Sequence, residues 1–436
     1  MSVALPAAPL AASPGLEFAE PAALGVLALG LAVTIGIGAR TSESGRPWSS
    51  GLVYAALGLI GAAGIALIGV DWLRVDEDIA VVEHVAEICV VVTLYATGLQ
   101  IDRPLAWREW RTVGVLLGVL LPLTVAVVAG LGMALLGLSL GAAIVLGGAL
   151  APTDPVLAGD VGVGGPKSEE EPEANFSLTA EASLNDGLAF PFVLLGLVIV
   201  ADGAGGLGEW FLLDVLYKVA GGVLIGFAGG RLAAAYVLPR RREQRIGADL
   251  DAWLAVAVAL TIYGAAQLVS TYGFLAAVCA GLAFRRYERD HENHEELHAG
   301  AERIVRLLEL GTIVLILSMV TWAGLTLPGW EGLLLCLLLV FVVRPLLGVL
   351  VLRPRSLATP QERGFVAFYG VRGVGSLYYV GAALGAGILP EDEASLILWT
   401  AIVCVLVSVV VHGVTANAGL RTLEATETHE EVKASA

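Results

Sequence analysis

Apolar runs long enough to span a bilayer follow one another along nearly the whole chain of 436 residues. A spanning helix needs about 20 apolar residues, and the runs are separated by short charged or Gly/Pro-containing segments. Hydrophobic residues make up 57% of the chain and charged residues 15%, whereas soluble domains carry about 25% charged residues. The sequence therefore excludes a soluble enzyme and predicts an all-α polytopic membrane protein with about 13 transmembrane helices. The predicted spans are residues 22–39, 51–69, 79–99, 112–136, 140–160, 177–201, 210–237, 249–268, 271–285, 304–325, 331–352, 364–388 and 394–416.

Basic side chains are divided unequally between the two sets of loops that alternating spans create. One set carries 19 Lys and Arg residues and the other carries one, Arg74. Because cytoplasmic loops hold the excess of Lys and Arg, we expect a multi-pass plasma-membrane protein with its N-terminus outside and its C-terminus in the cytoplasm. The predicted domains are an extracytoplasmic segment at 1–21, a transmembrane domain at 22–416, and a polar cytoplasmic tail at 417–436. Residues 421–436 of this tail are expected to lack regular structure.

The net charge and the positions of the cysteines argue against several kinds of binding partner. A net charge of −16 argues against nucleic acid, because nucleic-acid binding needs clustered basic residues. The cysteines all lie inside apolar runs, which predicts small buried side chains rather than disulfides or metal ligands. They are Cys89, Cys279, Cys336 and Cys404.

The acidic outer loops at 76–78 and 391–393 are interpreted as solvated loops. The alternative is that they attract cations to an outer mouth of the protein.

Five charged residues lie at depths where a charge is costly enough to mark a functional site. Asp154 is flanked by two prolines, which predicts that the fifth span is unwound there. Three glycines surround Arg372 and predict a second break, in the twelfth span. Two broken helices that run in opposite directions indicate a transporter substrate site between two inverted halves. The five residues are Asp154, Glu181, Asp186, Arg344 and Arg372.

The sixth span concentrates three of its polar groups in little more than one helical turn. Glu181 and Asn185 are four residues apart on one face, and Asp186 is turned toward a neighbouring side. Two buried carboxylates need a cation, a proton or an arginine to balance them, and Arg344 and Arg372 are the candidate partners. The alternative interpretation is a polar network that serves only helix packing.

Four motifs stand in the order found in the cation:proton antiporters of the NhaP/NHE type, and the chain resembles that family from about residue 22 to residue 416. They are T-D-P-V at 153–156, E-x-x-x-N-D-G at 181–187, an arginine before L-L-G-V-L at 344–350, and G-x-R-G-x-x-S at 370–376. The resemblance implies a NhaA/NhaP-like antiporter fold of two inverted repeats with two crossing broken helices, and a homodimer with dimerisation and core subdomains. It also implies a secondary transporter that exchanges Na⁺ or Li⁺ for H⁺ by alternating access and needs no cofactor.

The resemblance further implies a role for individual residues of the ion site. Asp186 is expected to bind the cation and the proton in turn. Asp154, Thr153, Ser183 and Asn185 are expected to border the same site. Because Asn185 is the neutral member of the family's Asn-Asp pair, one cation is expected to exchange for one proton.

Other motif residues are expected to hold the site in place. The resemblance implies a structural ion pair between Glu181 and Arg344, and a role for Arg372 in offsetting the helix ends at the crossover. Ala182 stands where many relatives carry Ser, and Ala96 where many carry Glu. Both changes remove candidate ligands, which leaves the ion selectivity open. The alternative functions are a K⁺/H⁺ antiporter of the same fold and a passive cation channel.

A competing motif occurs in a charged loop. Residues 294–298 match the H-E-x-x-H pattern of zinc proteases. The surrounding segment 285–303 is charged throughout and lacks an obvious third ligand, so a solvated loop helix is predicted. The alternative for His291, His294 and His298 is a pH-sensing or metal-binding cluster.

Overall fold

The computed structural model describes residues 50–69, 72–154, 173–243, 250–289, 295–352 and 359–434, and the isolated positions 30, 34 and 357. The N-terminal segment 1–21, most of the predicted span at 22–39, and His291 and His294 lie outside these residues. The described part of the chain contains helices and connecting turns but no strand. The prediction of an all-α protein is confirmed.

Fourteen helices can be numbered within the described residues. Seven helical stretches there are long and apolar enough to cross a membrane, judged by length and composition. A π-helical segment, Trp210–Tyr217, precedes α6. The helices are α1 (Ser50–Ile68), α2 (Ile79–Gln100), α3 (Arg111–Leu136), α4 (Leu140–Leu150), α5 (Glu173–Asp202), α6 (Lys218–Arg242), α7 (Asp251–Leu268), α8 (Gly273–Arg289), α9 (Glu295–Ser318), α10 (Trp322–Thr326), α11 (Gly329–Val351), α12 (Pro360–Phe368), α13 (Val374–Gly385) and α14 (Glu391–Ala434).

Both predicted helix breaks are present. Helix α4 ends at Leu150 in the middle of the fifth predicted span, and residues 369–373 separate α12 from α13 within the twelfth. The prediction of an unstructured tail is wrong, because α14 continues through the membrane-spanning residues to Ala434. Helix-forming Ala, Leu and Glu are frequent in that tail, and no Pro or Gly follows Gly419 to end the helix.

Close glycine contacts bring the helices of the candidate site together. A Cβ atom on Gly196 of α5 would lie 2.6 Å from the Gly141 carbonyl oxygen of α4. A Cβ atom on Gly98 of α2 would lie 2.5 Å from the Val278 carbonyl oxygen of α8. Only glycine permits such close helix–helix approach, which is the packing that lipid-embedded helices favour. These contacts hold α4 against α5, and α2 against α8.

Loops that the basic residues assign to one side of the membrane also meet in the structure. Arg285, at the end of α8, forms an ion pair with Asp102, which follows α2, at 2.8 Å. Arg103 pairs with Glu173 at the start of α5. The segment that follows α2, the end of α8 and the start of α5 therefore lie on one side of the helix bundle, as predicted. Their placement in the cytoplasm stays a prediction.

Candidate functional site

The two broken helices cross at the centre of the site. Beyond the end of α4, the Asp154 backbone N–H donates to the Val371 carbonyl oxygen at 2.7 Å. The non-helical segments 151–154 and 369–373 therefore satisfy part of each other's backbone hydrogen bonding. Such pairing is what allows unwound backbone at membrane depth.

The Asp154 carboxylate caps the helix that starts at this crossing. Its Oδ2 accepts a hydrogen bond from the Val374 backbone N–H, the first residue of α13, at 3.0 Å. A carboxylate at a helix N-terminus satisfies a free donor and interacts favourably with the helix dipole. A Cβ atom on Gly373 would overlap this carboxylate, so glycine is required beside it.

Asp186 brings a second carboxylate to the same helix end. The residue is 4% exposed, and a Cβ atom on Gly375 would lie 2.8 Å from its Oδ1 and 3.1 Å from its Oδ2. The Tyr379 hydroxyl, one turn further along α13, donates to the Asp186 backbone carbonyl oxygen. Asp154 and Asp186 thus both face the first turn of α13, although they are separated by 32 residues in the sequence.

Thr153 and Asn185 connect the two segments that carry these carboxylates. The Asn185 Nδ2 donates to the Thr153 Oγ1 at 2.8 Å. The Asn185 Oδ1 is buried and has no hydrogen-bond partner among the described residues. Buried oxygen atoms are rarely left unsatisfied, and a carbonyl-type oxygen is a ligand that hard cations prefer. This atom is therefore a candidate cation ligand.

Ser183 differs from the other predicted ligands. Its hydroxyl donates to the Thr179 carbonyl oxygen of its own helix at 2.7 Å. The structure brings Asp154, Thr153, Asn185 and Asp186 together at the crossing, whereas the Ser183 hydroxyl is held along α5. A serine bonded back to its own helix in this way retains lone pairs but has its proton engaged.

A buried ion pair ties α5 to α11. The Arg344 Nη1 and Nη2 donate to the Glu181 Oε1 and Oε2 at 2.6 and 2.7 Å. Both side chains are 2% exposed. Two parallel charge-assisted hydrogen bonds fix the relative orientation of the two groups. The geometry brings together the two residues that the resemblance pairs.

Arg372 lies at the crossing and donates to the ends of the broken helices. Its Nε donates to the carbonyl oxygen of Leu150, the last residue of α4, at 3.1 Å. Its Nη1 donates to the carbonyl oxygen of Gly370. The side chain is fully buried. A cation beside the C-terminal carbonyl groups of a helix is electrostatically favourable.

Two polar residues of α14 support the break and are not among those that the motifs predict. The Ser408 hydroxyl accepts from the Arg372 backbone N–H at 2.9 Å. His412 places Nδ1 2.9 Å from the Ser408 carbonyl oxygen and Nε2 3.2 Å from the carbonyl oxygen of Phe368, the last residue of α12. Their spacing could have identified them in the sequence, because they are two polar residues four positions apart in an apolar span.

The motifs also leave out a buried charged residue of a predicted span. Glu309 of α9 is 4% exposed. It interrupts the apolar run of the predicted span at 304–325, so the cost of charge in lipid could have singled it out.

The described residues contain no group of three His, Cys, Asp or Glu side chains that could hold a metal ion. All four cysteines are buried, as predicted.

The sequence is similar to a family model and to named antiporters. The model of the transmembrane sodium/hydrogen exchanger family matches residues 49–421. A probable Na⁺/H⁺ antiporter of Schizosaccharomyces pombe is 26% identical over 392 residues, which cover 82% of this chain and 50% of that protein. Na⁺/H⁺ antiporter 2 of Zygosaccharomyces rouxii is 27% identical over 313 residues, covering 68% of this chain and 38% of that protein. The chain thus spans half or less of the length of these two relatives.

Solved structures show the same fold. The sodium proton antiporter MjNhaP1 from Methanocaldococcus jannaschii at pH 8 superposes with a TM-score of 0.69 and 20% identity, covering 90% of this chain and 100% of that one. An electron-microscopy structure of MjNhaP1 gives a TM-score of 0.73 at 18% identity, with 92% and 98% coverage. The predicted NhaP-like antiporter fold is confirmed.

Proposed function

The chain belongs to the sodium/hydrogen exchanger family, and from this premise we propose that it exchanges Na⁺ or Li⁺ for H⁺ across a bilayer. It is a transporter rather than an enzyme. The observation that carries the proposal is the convergence of the Asp154 and Asp186 carboxylates on the first turn of α13. The names of the antiporter relatives give it further support.

The proposed exchange rests on competition for Asp186. The ionised carboxylate, together with the Asn185 Oδ1 and the Thr153 oxygen atoms, offers the oxygen ligands that a hard cation requires. A proton on the same carboxylate removes the negative charge and displaces the cation. If the site reorients only when it is occupied by one or the other, the two flows are coupled.

The neighbouring charged groups are proposed to hold this site in place. Asp154 remains engaged with the Val374 N–H, which keeps the crossing closed around Asp186. The Glu181–Arg344 pair orients α5, and Arg372 balances the carbonyl ends of α4 and the segment before α13. We further propose a homodimer in the plasma membrane, with the N-terminus outside, because the family resemblance implies the dimer and the distribution of basic residues favours this orientation.

The experiment that tests this function uses the purified chain in sealed vesicles with an imposed pH gradient. Addition of Na⁺ or Li⁺ is expected to dissipate the gradient, while empty vesicles show no response. A response to K⁺ but not to Na⁺ or Li⁺ would instead identify a K⁺/H⁺ antiporter. Cation flux that follows voltage without moving protons would identify a channel and overturn the proposal.

Steady-state exchange is expected to create no membrane potential. Asp186 is the one carboxylate at the crossing that is proposed to change its occupancy, and its charge is cancelled equally by one monovalent cation or by one proton. A voltage-sensitive dye should therefore stay unchanged during Na⁺-driven exchange. Clamping the potential with valinomycin and K⁺ should leave the rate unchanged, and a rate that rises under the clamp would contradict one-for-one exchange.

Replacing Gly373 with Ala is expected to lower the initial exchange rate at least about tenfold. The added Cβ would overlap the Asp154 carboxylate, and over-packing of a closed site costs about 1–3 kcal/mol. The matched control is Gly364→Ala in α12, where the added Cβ meets nothing within 4 Å. Rates of pH-gradient dissipation are compared at equal protein content. A wild-type rate in Gly373→Ala would show that the capped geometry is not needed.

A further inference from the structure

Arg372 is a fully buried cation whose partners at the helix crossing carry only partial charges. Its Nε and Nη1 donate to the carbonyl oxygens of Leu150 and Gly370, and a helix end supplies about half an elementary charge. Its Nη2 is buried without a hydrogen-bond partner among the described residues. The Glu181 carboxylate also acts on Arg372, but both of its oxygen atoms are bound by Arg344. Because a buried charge needs a counter-ion, a further anionic group is expected beside Arg372.

Two buried cysteines lie together on α11 and α14. Cys336 and Cys404 are both 0% exposed, and their side chains are hydrogen-bonded to each other. The Cys336 Sγ also lies 3.6 Å from the carbonyl oxygen of Thr400, one turn before Cys404. Gly332, one turn before Cys336, faces the same residue, since a Cβ atom there would lie 3.6 Å from the Thr400 Oγ1. The packing of α11 against α14 therefore holds the two sulfur atoms together.

Cys404 is the member of this pair that acts on Arg372, because the two side chains interact electrostatically. One turn further along α14, the Ser408 hydroxyl accepts from the Arg372 backbone N–H at 2.9 Å. Residues four apart share a helix face, so Cys404 lies on the face of α14 that is directed toward the crossing. Thiolates form beside arginine side chains, and a neighbouring S–H donor stabilises the charged sulfur. Burial disfavours a lone thiolate, but here an opposite charge is buried in the same site.

We propose that Cys404 is ionised and that its thiolate is the counter-ion of the Arg372 guanidinium group. The Cys336 thiol donates a hydrogen bond to the Cys404 sulfur, and the proton of Cys404 is released to solvent as the protein folds. Cys404 is then a positioning residue. It acts through Arg372, which binds the carbonyl ends of the broken helices.

Infrared spectroscopy of the full-length protein in detergent at neutral pH tests the charge of Cys404 through the S–H stretching band. The chain has four cysteines, all without disulfides, so it carries four S–H groups if Cys404 is a thiol and three if it is a thiolate. Cys404→Ala is expected not to lower the band area per protein. The control, Cys279→Ala, removes a buried cysteine of α8 and should lower the area by about one third. Equal losses in the two variants would overturn the proposal.

Removing the guanidinium group gives the reciprocal result. In Arg372→Met the Cys404 sulfur has no cation beside it and should take up a proton, so the S–H band area is expected to rise by about one third. Size-exclusion profiles confirm that the variant is folded. An unchanged band area in folded Arg372→Met would contradict the proposed ion pair.

Exchange rates test whether the thiolate positions Arg372. This measurement rests on the proposed exchange function, whereas the infrared measurement does not, so the two can fail separately. Cys404→Ala and Cys404→Ser leave Arg372 without its counter-ion and should lower the rate at least about tenfold. Cys404→Asp restores an anion and should return the rate, or the yield of folded protein, to within about threefold of wild type. If Cys404 serves only packing, Cys404→Ser is tolerated and Cys404→Asp is not, and that result would overturn the positioning role.

Discussion

Exchange by the Asp186→Asn variant is expected to fall to the level of empty vesicles. The substitution keeps the shape of the side chain, so the contact with Gly375 and the Tyr379 hydrogen bond to the backbone are retained. It removes the negative charge that must be cancelled by a cation or a proton in turn. A neutral amide has no group that titrates in this range, so neither half of the cycle can be completed.

Two further variants make this result specific. Asp202→Asn applies the same chemical change to an exposed residue at the end of α5 and should exchange at the wild-type rate. Asp186→Glu keeps the charge but adds a methylene group where a Cβ on Gly375 would already be 2.8 Å away, so a reduced rate is expected. Thermal unfolding of Asp186→Asn should occur at or above the wild-type temperature, because a buried charge is removed. Retained exchange in Asp186→Asn would exclude this residue as the shared site.

Removing Arg344 alone is expected to destabilise the protein more than any surface substitution. Arg344→Met leaves Glu181 buried and without its partner, and breaking a buried ion pair in this way costs about 3–5 kcal/mol. The variant should unfold at a clearly lower temperature in a fluorescence-detected thermal assay. Both side chains are 2% exposed, so water cannot replace the lost hydrogen bonds without entering the helix interface.

The double variant separates structure from ion binding. Combining Arg344→Met with Glu181→Leu replaces the pair by apolar side chains of similar size, which is often neutral or stabilising. If the pair serves only to orient α5, the double variant should recover most of the lost thermal stability and its apparent KM for Na⁺ should stay within about threefold of wild type. A stable double variant without exchange would instead show that Glu181 takes part in cation or proton binding.

The two helix breaks could be predicted from the local sequence. Two prolines beside Asp154 and three glycines around Arg372 predict non-helical backbone from steric rules that act within a few residues. The helical tail after residue 416 shows the opposite case. Polar composition alone did not reveal that helix-forming residues continue α14 to Ala434, because solvation and helix propensity are separate properties of the same side chains.

Within the site, the sequence identified charged residues more reliably than contacts. Asp154, Asp186 and Arg372 are found at the crossing, as the motifs lead one to expect. The Asn185–Thr153 hydrogen bond and the support from Ser408 join residues separated by 32 and 36 positions, and no local pattern encodes such distances. The Ser183 hydroxyl remains bonded within α5, which its position in the motif did not reveal.

By itself, the sequence determined that this is a membrane protein, where most of its spans lie, and that five of its charged residues are out of place in lipid. These properties add up residue by residue, because the free energy of burying an apolar run or a charge in a bilayer depends mainly on the residues within that run. Only the tertiary structure decided that Asp154 caps α13 and that Ser408 accepts a hydrogen bond from the Arg372 backbone N–H. Those choices depend on how closely helices approach at glycines such as Gly373 and Gly375. A hydrogen bond acts over about 3 Å, so its partner is set by the packing of distant segments.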